Sequence, residues 1–392
     1  MSAVQISLSP SVKAPGSVTH GADLLSNDGP TAILGWDEAA FAVSNAPSPN
    51  VLFGPRGACI LPDGSLWVAD TGHHRILGWR NMPTEDNQSA DIVIGQPDFF
   101  SEGRNAKGPV SASTMNVPTG ISPWGEGLAV ADAWNHRILL WKTTPTRNNQ
   151  PADIILGQTN AESTTANHGK DSPSATSLHW SYGVNEINGH LVVSDCGNRR
   201  VMIWNDPTET GQSADLVLGQ PNFDIRDENA GEGISAVGMR WPHSATYWQN
   251  HFAVTDAGNN RIMLWNGFPS QNGQACDAVL GQNNFTDCDH NRQGYYPDAG
   301  AVNMPYAITA HDERLLVADT ANSRLLGWKD LATGSDADRL TGQPDFASKG
   351  DNAWGIAQRK SVCWPYGLTC REGLAVIADS GNNRILLWPV SE

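Results

Sequence analysis

The sequence predicts an all-β fold: a six-bladed β-propeller of four-stranded blades, its ring closed by an N-terminal strand that completes the last blade. Three observations predict it. First, one segment recurs six times, as "VADTGHHRILGW", "VADAWNHRILLW", "VSDCGNRRVMIW", "VTDAGNNRIMLW", "VADTANSRLLGW" and "IADSGNNRILLW". Its aspartates, Asp70, Asp132, Asp195, Asp256, Asp319 and Asp379, have a period of 60 to 63 residues, and Arg75, Arg137, Arg200, Arg261, Arg324 and Arg384 follow them. Second, a marker such as "DIVIGQPDF" or "DLVLGQPNF" follows five of the six copies at the same period. Third, Asp379 lies 13 residues from the C-terminus, while an unpaired marker, "AILGWDEAAF", stands near the N-terminus. The array therefore closes on itself.

Each unit reads as four strands: an apolar run after a Pro-x-Gly, then "LWVAD", "RILGW" and "DIVIGQ", separated by Gly, Asp, Asn and Pro turns. A blade of this size cannot bury both faces of its sheet alone, and six arranged radially each cover the next. Closure by the N-terminal strand removes an edge that would otherwise pair with another chain.

The D-x-x-x-x-R-I/L-x-x-W copies, mostly with Asn two residues before the Arg, resemble NHL repeats over about residues 32 to 389. The resemblance implies an NHL-type propeller and leaves activity open. Propellers of that family serve as RNA-binding platforms, protein-binding domains, sensor domains and, in the peptidyl-hydroxyglycine amidating lyases, zinc enzymes; fold does not fix function.

Residues 31 to 392 are expected to form the propeller and residues 1 to 30 an N-terminal extension. The extension has no basic, apolar pattern of a signal peptide, and no stretch approaches the roughly 18 apolar residues of a membrane span. A soluble, cytoplasmic protein without a membrane partner is expected. The six cysteines fit this: Cys363 and Cys370 share one strand, about 23 Å apart at about 3.3 Å per residue, whereas bridged Cα atoms lie within about 7 Å. A net charge of −16, with no Lys/Arg run, argues against a nucleic-acid partner, because phosphate neutralisation needs a basic face.

Comparison of the six copies separates scaffold from specialised positions. The Asp, the Arg and the terminal Trp recur in every blade and are expected to be structural. So is an Asn ten residues after each marker glycine (Asn45, Asn105, Asn167, Asn229, Asn291, Asn352). His73 takes the place of a recurring Asn and reads as a turn residue. The next position varies (His74, His136, Arg199, Asn260, Ser323, Asn383) and lies on the face where propeller pockets occur by family analogy.

Two further variable sets flank the innermost strand, in "FGPRG", "NVPTG", "HWSYG", "RWPHS", "NMPYA" and "CWPYG". One set is Arg56, Thr119, Tyr182, His243, Tyr306 and Tyr366; the other, three residues earlier, is Phe53, Asn116, His179, Arg240, Asn303 and Cys363. Both are expected to ring the channel mouth as a donor-rich funnel without Asp or Glu. The small residues that follow (Gly57, Gly120, Gly183, Ser244, Ala307, Gly367) are expected where six strands converge.

The expected ligand residues are Arg56, Asn116, His179, Tyr182, Arg240, His243, Asn303, Tyr306 and Tyr366. Arg56, Arg240 and His243 would hold negative charge, and the tyrosines would supply stacking area and hydroxyl donors. The expected occupant is a small anionic or polar molecule, or the tail of a partner protein.

An enzyme, lyase or hydrolase, using Tyr306 or His243 as base and Arg56 to hold a developing anion is the alternative. A scaffold working through its loops is a third. The amidating lyases hold zinc with three inner histidines; here His243 has a matching Pro-His context and His179 lies nearby, but the other blades do not repeat it, and zinc needs three protein ligands. Calcium-centred propellers need axial carboxylates and amides, and only Asn116, Asn185 and Asn303 are offered. No metal or other cofactor is therefore expected.

Overall fold

A computed structural model describes residues 20–35 and 46–391 and contains six sheets arranged as blades around a channel. Two short N-terminal strands come first, β1 (Ala22–Asp23) and β2 (Ala32–Leu34). Blade one is an antiparallel meander of β3 (Gly57–Ile60), β4 (Leu66–Asp70), β5 (Arg75–Trp79) and β6 (Ile92–Ile94), innermost to outermost. Blades two to six repeat it, with innermost strands Pro118–Trp124, Ser181–Ile187, Pro242–Trp248, Pro305–His311 and Pro365–Arg371. Only short 3-10 turns accompany the strands among the described residues, and no helix there is long and apolar enough to cross a membrane.

The ring closes as expected: β2 pairs antiparallel with Arg384–Pro389, Ile33 opposite Leu386, and supplies the outer strand of blade six. The segment expected as an extension does more. β1 runs parallel to Arg339–Thr341 as a fifth strand on blade five, and Leu24 and Leu25 are buried beside it.

Apolar side chains fill the seams between blades. Leu66, Val68, Leu77 and Trp79 of blade one pack against Val376, Ala378, Ile385 and Leu387 of blade six, while Trp67, Ala69 and Ile76 turn to Leu128, Val130 and Leu139 of blade two. Both faces of β4 are covered, which is why "LWVAD" is an unbroken buried run.

The recurring polar residues stitch these seams. In each blade the Asp accepts the Arg Nε–H at 2.7 to 3.0 Å, with both side chains fully buried. In blade two, the Arg137 guanidinium also donates to the carbonyls of Ser111, Thr114 and Ala161. The inter-blade asparagines pair with the turn asparagine of the following blade, as Asn167 does with Asn198 at 2.9 Å. Asn45 lies outside the described residues. His73 joins the same network, its Nδ1 2.8 Å from Asp70, so it is part of the turn.

The small residues of the inner strands face a neighbouring backbone. A Cβ on Gly183 would lie 1.9 Å from the His243 carbonyl oxygen, and one on Gly57 2.3 Å from that of Thr119. Gly183→Ala is expected to cost about 3 kcal/mol, read as a lower urea midpoint at unchanged slope; a loss below about 1 kcal/mol would contradict this packing.

Candidate functional site

The channel-mouth residues stand on bulges. In blade three Ser181 lies opposite Asp195 and Gly183 opposite Ser194, which leaves Tyr182 without a partner across the ladder. The register skips His243, Tyr306 and Tyr366 in the same way. A bulge re-aims the extra side chain, and here it turns four rings towards the axis. Arg56 joins them from just before β3, its N–H on the Ala69 carbonyl.

These five side chains form a closed circuit. Arg56 Nη1 donates to the Tyr182 hydroxyl at 2.8 Å. The Tyr182 ring lies 4.4 Å from His243, and His243 stacks on Tyr306 at 4.1 Å with 3° between planes. Tyr306 lies 4.8 Å from Tyr366, whose ring returns to the Arg56 guanidinium at 4.8 Å. Thr119, the sixth member, is buried and donates to the Tyr182 carbonyl at 2.6 Å.

The circuit separates two spaces. Along the inner strands runs a cavity of about 400 Å³ whose walls include Ser122, Asn185, Thr246, Thr309 and Thr369. On the turn side a cavity of about 230 Å³ is walled by the five circuit residues with Trp180, Trp241 and Cys196. Sequence reasoning missed the two tryptophans; the signal was the aromatic residue before the Pro position in "HWSYG" and "RWPHS".

Charge in this ring is concentrated on one group. The Arg56 guanidinium stays protonated and makes no ion pair among the described residues; the titratable groups that act on it most are Tyr182, Tyr366 and Tyr306, and Glu186 stands on the wall of the larger cavity. Burial pushes the phenols of Tyr182 and Tyr306 above their usual range, so both stay neutral. Burial also lowers His243 to about 4, with Arg56 adding to the shift. Its Nδ1 donates to the Trp241 carbonyl at 2.8 Å.

A histidine held below its unfolded value of about 6.5 binds its proton more readily in the unfolded chain, so its contribution to stability is complete above that pH and is lost as pH falls towards 4. The unfolding free energy of wild type is expected to fall by about 3 kcal/mol relative to His243→Gln between pH 7 and pH 4. Parallel pH profiles of the two proteins would contradict the assignment.

The remaining four candidates lie outboard. The backbone N–H groups of Asn116, His179, Arg240 and Asn303 are each held by their own blade's aspartate at 2.7 to 2.9 Å, and none of the four walls either cavity. Arg240 lies 3.3 Å from Glu228 with its guanidinium over Trp241. The positive trio expected from the sequence thus reduces to Arg56, because Glu228 compensates Arg240 and burial keeps His243 neutral. His179 packs against His136, ring centroids 5.3 Å apart, whereas His243 stacks on Tyr306. Among the described residues no three His, Cys, Asp or Glu side chains gather in a metal-binding group.

The variable turn residue is a latch between blades. His74 Nδ1 accepts the Val117 N–H, His136 Nδ1 that of Trp180, Asn260 Oδ1 that of Met304, Ser323 Oγ that of Trp364, and Asn383 Oδ1 that of Gly54, at 2.8 to 3.2 Å.

One family model matches the chain, that of the NHL repeat, over residues 54–79. The chain is a six-bladed propeller carrying an NHL repeat. Among solved structures this propeller is similar to hydrazine synthase of Kuenenia stuttgartiensis (10% identity, 91% of this chain and 99% of that chain, TM-score 0.47). It is also similar to virginiamycin B lyase from Staphylococcus aureus (11%, 88% and 98%, 0.45) and to Myxococcus xanthus glutaminyl cyclase (12%, 70% and 91%, 0.37). Likeness this distant carries no activity across. No curated protein sequence matches this one.

Proposed function

We propose that this NHL propeller binds a small anionic or polar molecule, or the acidic tail of a partner protein, in the turn-side cavity at the channel mouth. One observation carries the reading: Arg56 holds a positive charge between the Tyr182 hydroxyl and the Tyr366 ring, without an ion pair among the described residues. A half-buried cation without a counterion costs desolvation energy that a bound anion returns. The tyrosine hydroxyls add neutral donors, and Trp180 and Trp241 offer flat apolar walls.

Neither a metal, a nucleic acid nor a membrane enters this reading, and the cytosol is its compartment. All six cysteines are unpaired, as a reducing compartment requires. The reading is tested by thermal shift against a panel of carboxylates and phosphate esters. A stabilising carboxylate or phosphate whose effect vanishes in Arg56→Met supports it; equal stabilisation of both proteins overturns it.

A further inference from the structure

Blade four breaks the latch, and the break falls beside His243. Where the latch residue is an acceptor, the N–H it receives belongs to a residue in the left-handed region: Gly54, Val117, Trp180, Met304 and Trp364, with φ between 49° and 58°. Such a conformation is costly for a non-glycine residue and persists where surrounding contacts enforce it. The sixth latch residue is Arg199, whose guanidinium has five donors and no acceptor. Its Nη1 donates instead to the Arg226 carbonyl at 3.0 Å.

The backbone responds. Trp241, which should give its N–H to the latch, is absent from the left-handed set, and its N–H turns to Asp256 of its own blade at 3.2 Å. In the other five blades the second turn residue donates to the carbonyl three residues before the channel residue, as Gly197 does to His179 and Ala321 to Asn303. In blade four both ends of that bond shift by one residue: the first turn residue, Ala257, donates to the Trp241 carbonyl, two residues before His243. The same carbonyl accepts the His243 Nδ1–H.

We propose that Arg199 is a positioning residue: by refusing to accept, it frees the Trp241 peptide to hold His243 with its proton on Nδ1 and its Nε2 as a bare acceptor at the channel mouth. The neutral imidazole has one protonated nitrogen, so a filled Nδ1 leaves Nε2 with a lone pair. His243 Nε2 is not among the buried side-chain atoms without a partner, which leaves it open to the cavity that His243 walls. The site therefore offers one cation, Arg56, and, beside tyrosine hydroxyls that can donate or accept, one group that can only accept, His243 Nε2. Resting on the anion reading above, this selects an anion that also carries a hydrogen-bond donor, such as a 2-hydroxy carboxylate. An analogue lacking that donor leaves the acceptor unpaired and is disfavoured.

The first test needs no ligand: nitrogen chemical shifts of the His243 imidazole, assigned by its loss in His243→Gln, report which nitrogen carries the proton. Wild type and Arg199→Lys, which also lacks an acceptor, are expected to show the proton on Nδ1. Arg199→Asn, with the side chain that blades four and six use at this position, is expected to restore the latch and move the proton to Nε2. An unchanged Nδ1–H signal in Arg199→Asn overturns the proposal.

The second test uses mandelate and phenylacetate, which differ by the 2-hydroxyl. Wild type and Arg199→Lys are expected to favour mandelate about tenfold, and Arg199→Asn to lose the preference. Equal affinity of wild type for the two overturns the ligand class. Binding of neither counts against the Arg56 reading, while the imidazole shifts still decide the role of Arg199.

Discussion

Replacing Arg200 by methionine is expected to cost about 3–5 kcal/mol of folding stability, a large share of the roughly 5–15 kcal/mol that holds a domain together. Its guanidinium donates to Asp195 at 2.8 Å and to the carbonyls of Phe223, Ser174 and Ser177. These groups come from the end of a strand, His190–Asp195, and from the two connections that precede and follow blade three. Methionine fills much of the volume but leaves Asp195 as a fully buried anion and takes a donor from three carbonyls, of which Ser174 keeps the Ser177 N–H. Asp195 keeps only the His179 N–H and the Asn198 amide. If the stranded charge dominates, Asp195→Asn in the Arg200→Met background recovers more than about 1 kcal/mol, a coupling of the size expected for contacting residues. Urea unfolding of both variants measures this. A loss below about 1 kcal/mol in Arg200→Met would show that the repeated Asp–Arg pair is not what locks the blades.

The same substitution at Arg56 is expected to behave in the opposite way. Arg56→Met removes a cation whose described partners are a tyrosine hydroxyl and a tyrosine face. The lost hydrogen bond and cation–π contact, each about 1 kcal/mol, are offset by relief of an uncompensated, half-buried charge. Stability is expected to stay within about 1 kcal/mol of wild type, while affinity for a carboxylate or phosphate ligand falls by about 10- to 100-fold, the worth of a charged hydrogen bond. A residue that keeps the site ready at no benefit to the fold is the signature of function. A destabilisation of 2 kcal/mol or more, with no ligand effect, would make the circuit a structural plug.

What the sequence revealed follows from what repeats. Asp, Arg, Trp and the marker glycine recur because every blade solves the same packing problem, so blade number and the closing role of residues 32–34 could be read directly. β1 could not: two residues paired to blade five carry no periodicity. At the site, Arg56, Tyr182, His243, Tyr306 and Tyr366 were legible as one variable position, and the bulge brings them together. Asn116, His179, Arg240 and Asn303 share a similar variability but are tied to their own blades through backbone N–H groups, which variability cannot reveal. The neutralisation of Arg240 depends on Glu228, brought close by a loop, and the neutrality of His243 on burial. The latch was visible only as a position that changed identity; its acceptor role emerged once the seams were in place, and with it the meaning of Arg199 as the one member that cannot accept.

The mouth of this propeller is proposed to hold an anion through Arg56. Native mass spectrometry of untagged wild type and Arg56→Met, each purified from the cells that normally make the protein, tests it most directly. Wild type is expected to carry one organic anion that is absent from Arg56→Met, with neither holding stoichiometric metal. The same anion retained by Arg56→Met, or a stoichiometric zinc or calcium ion in wild type, would contradict it.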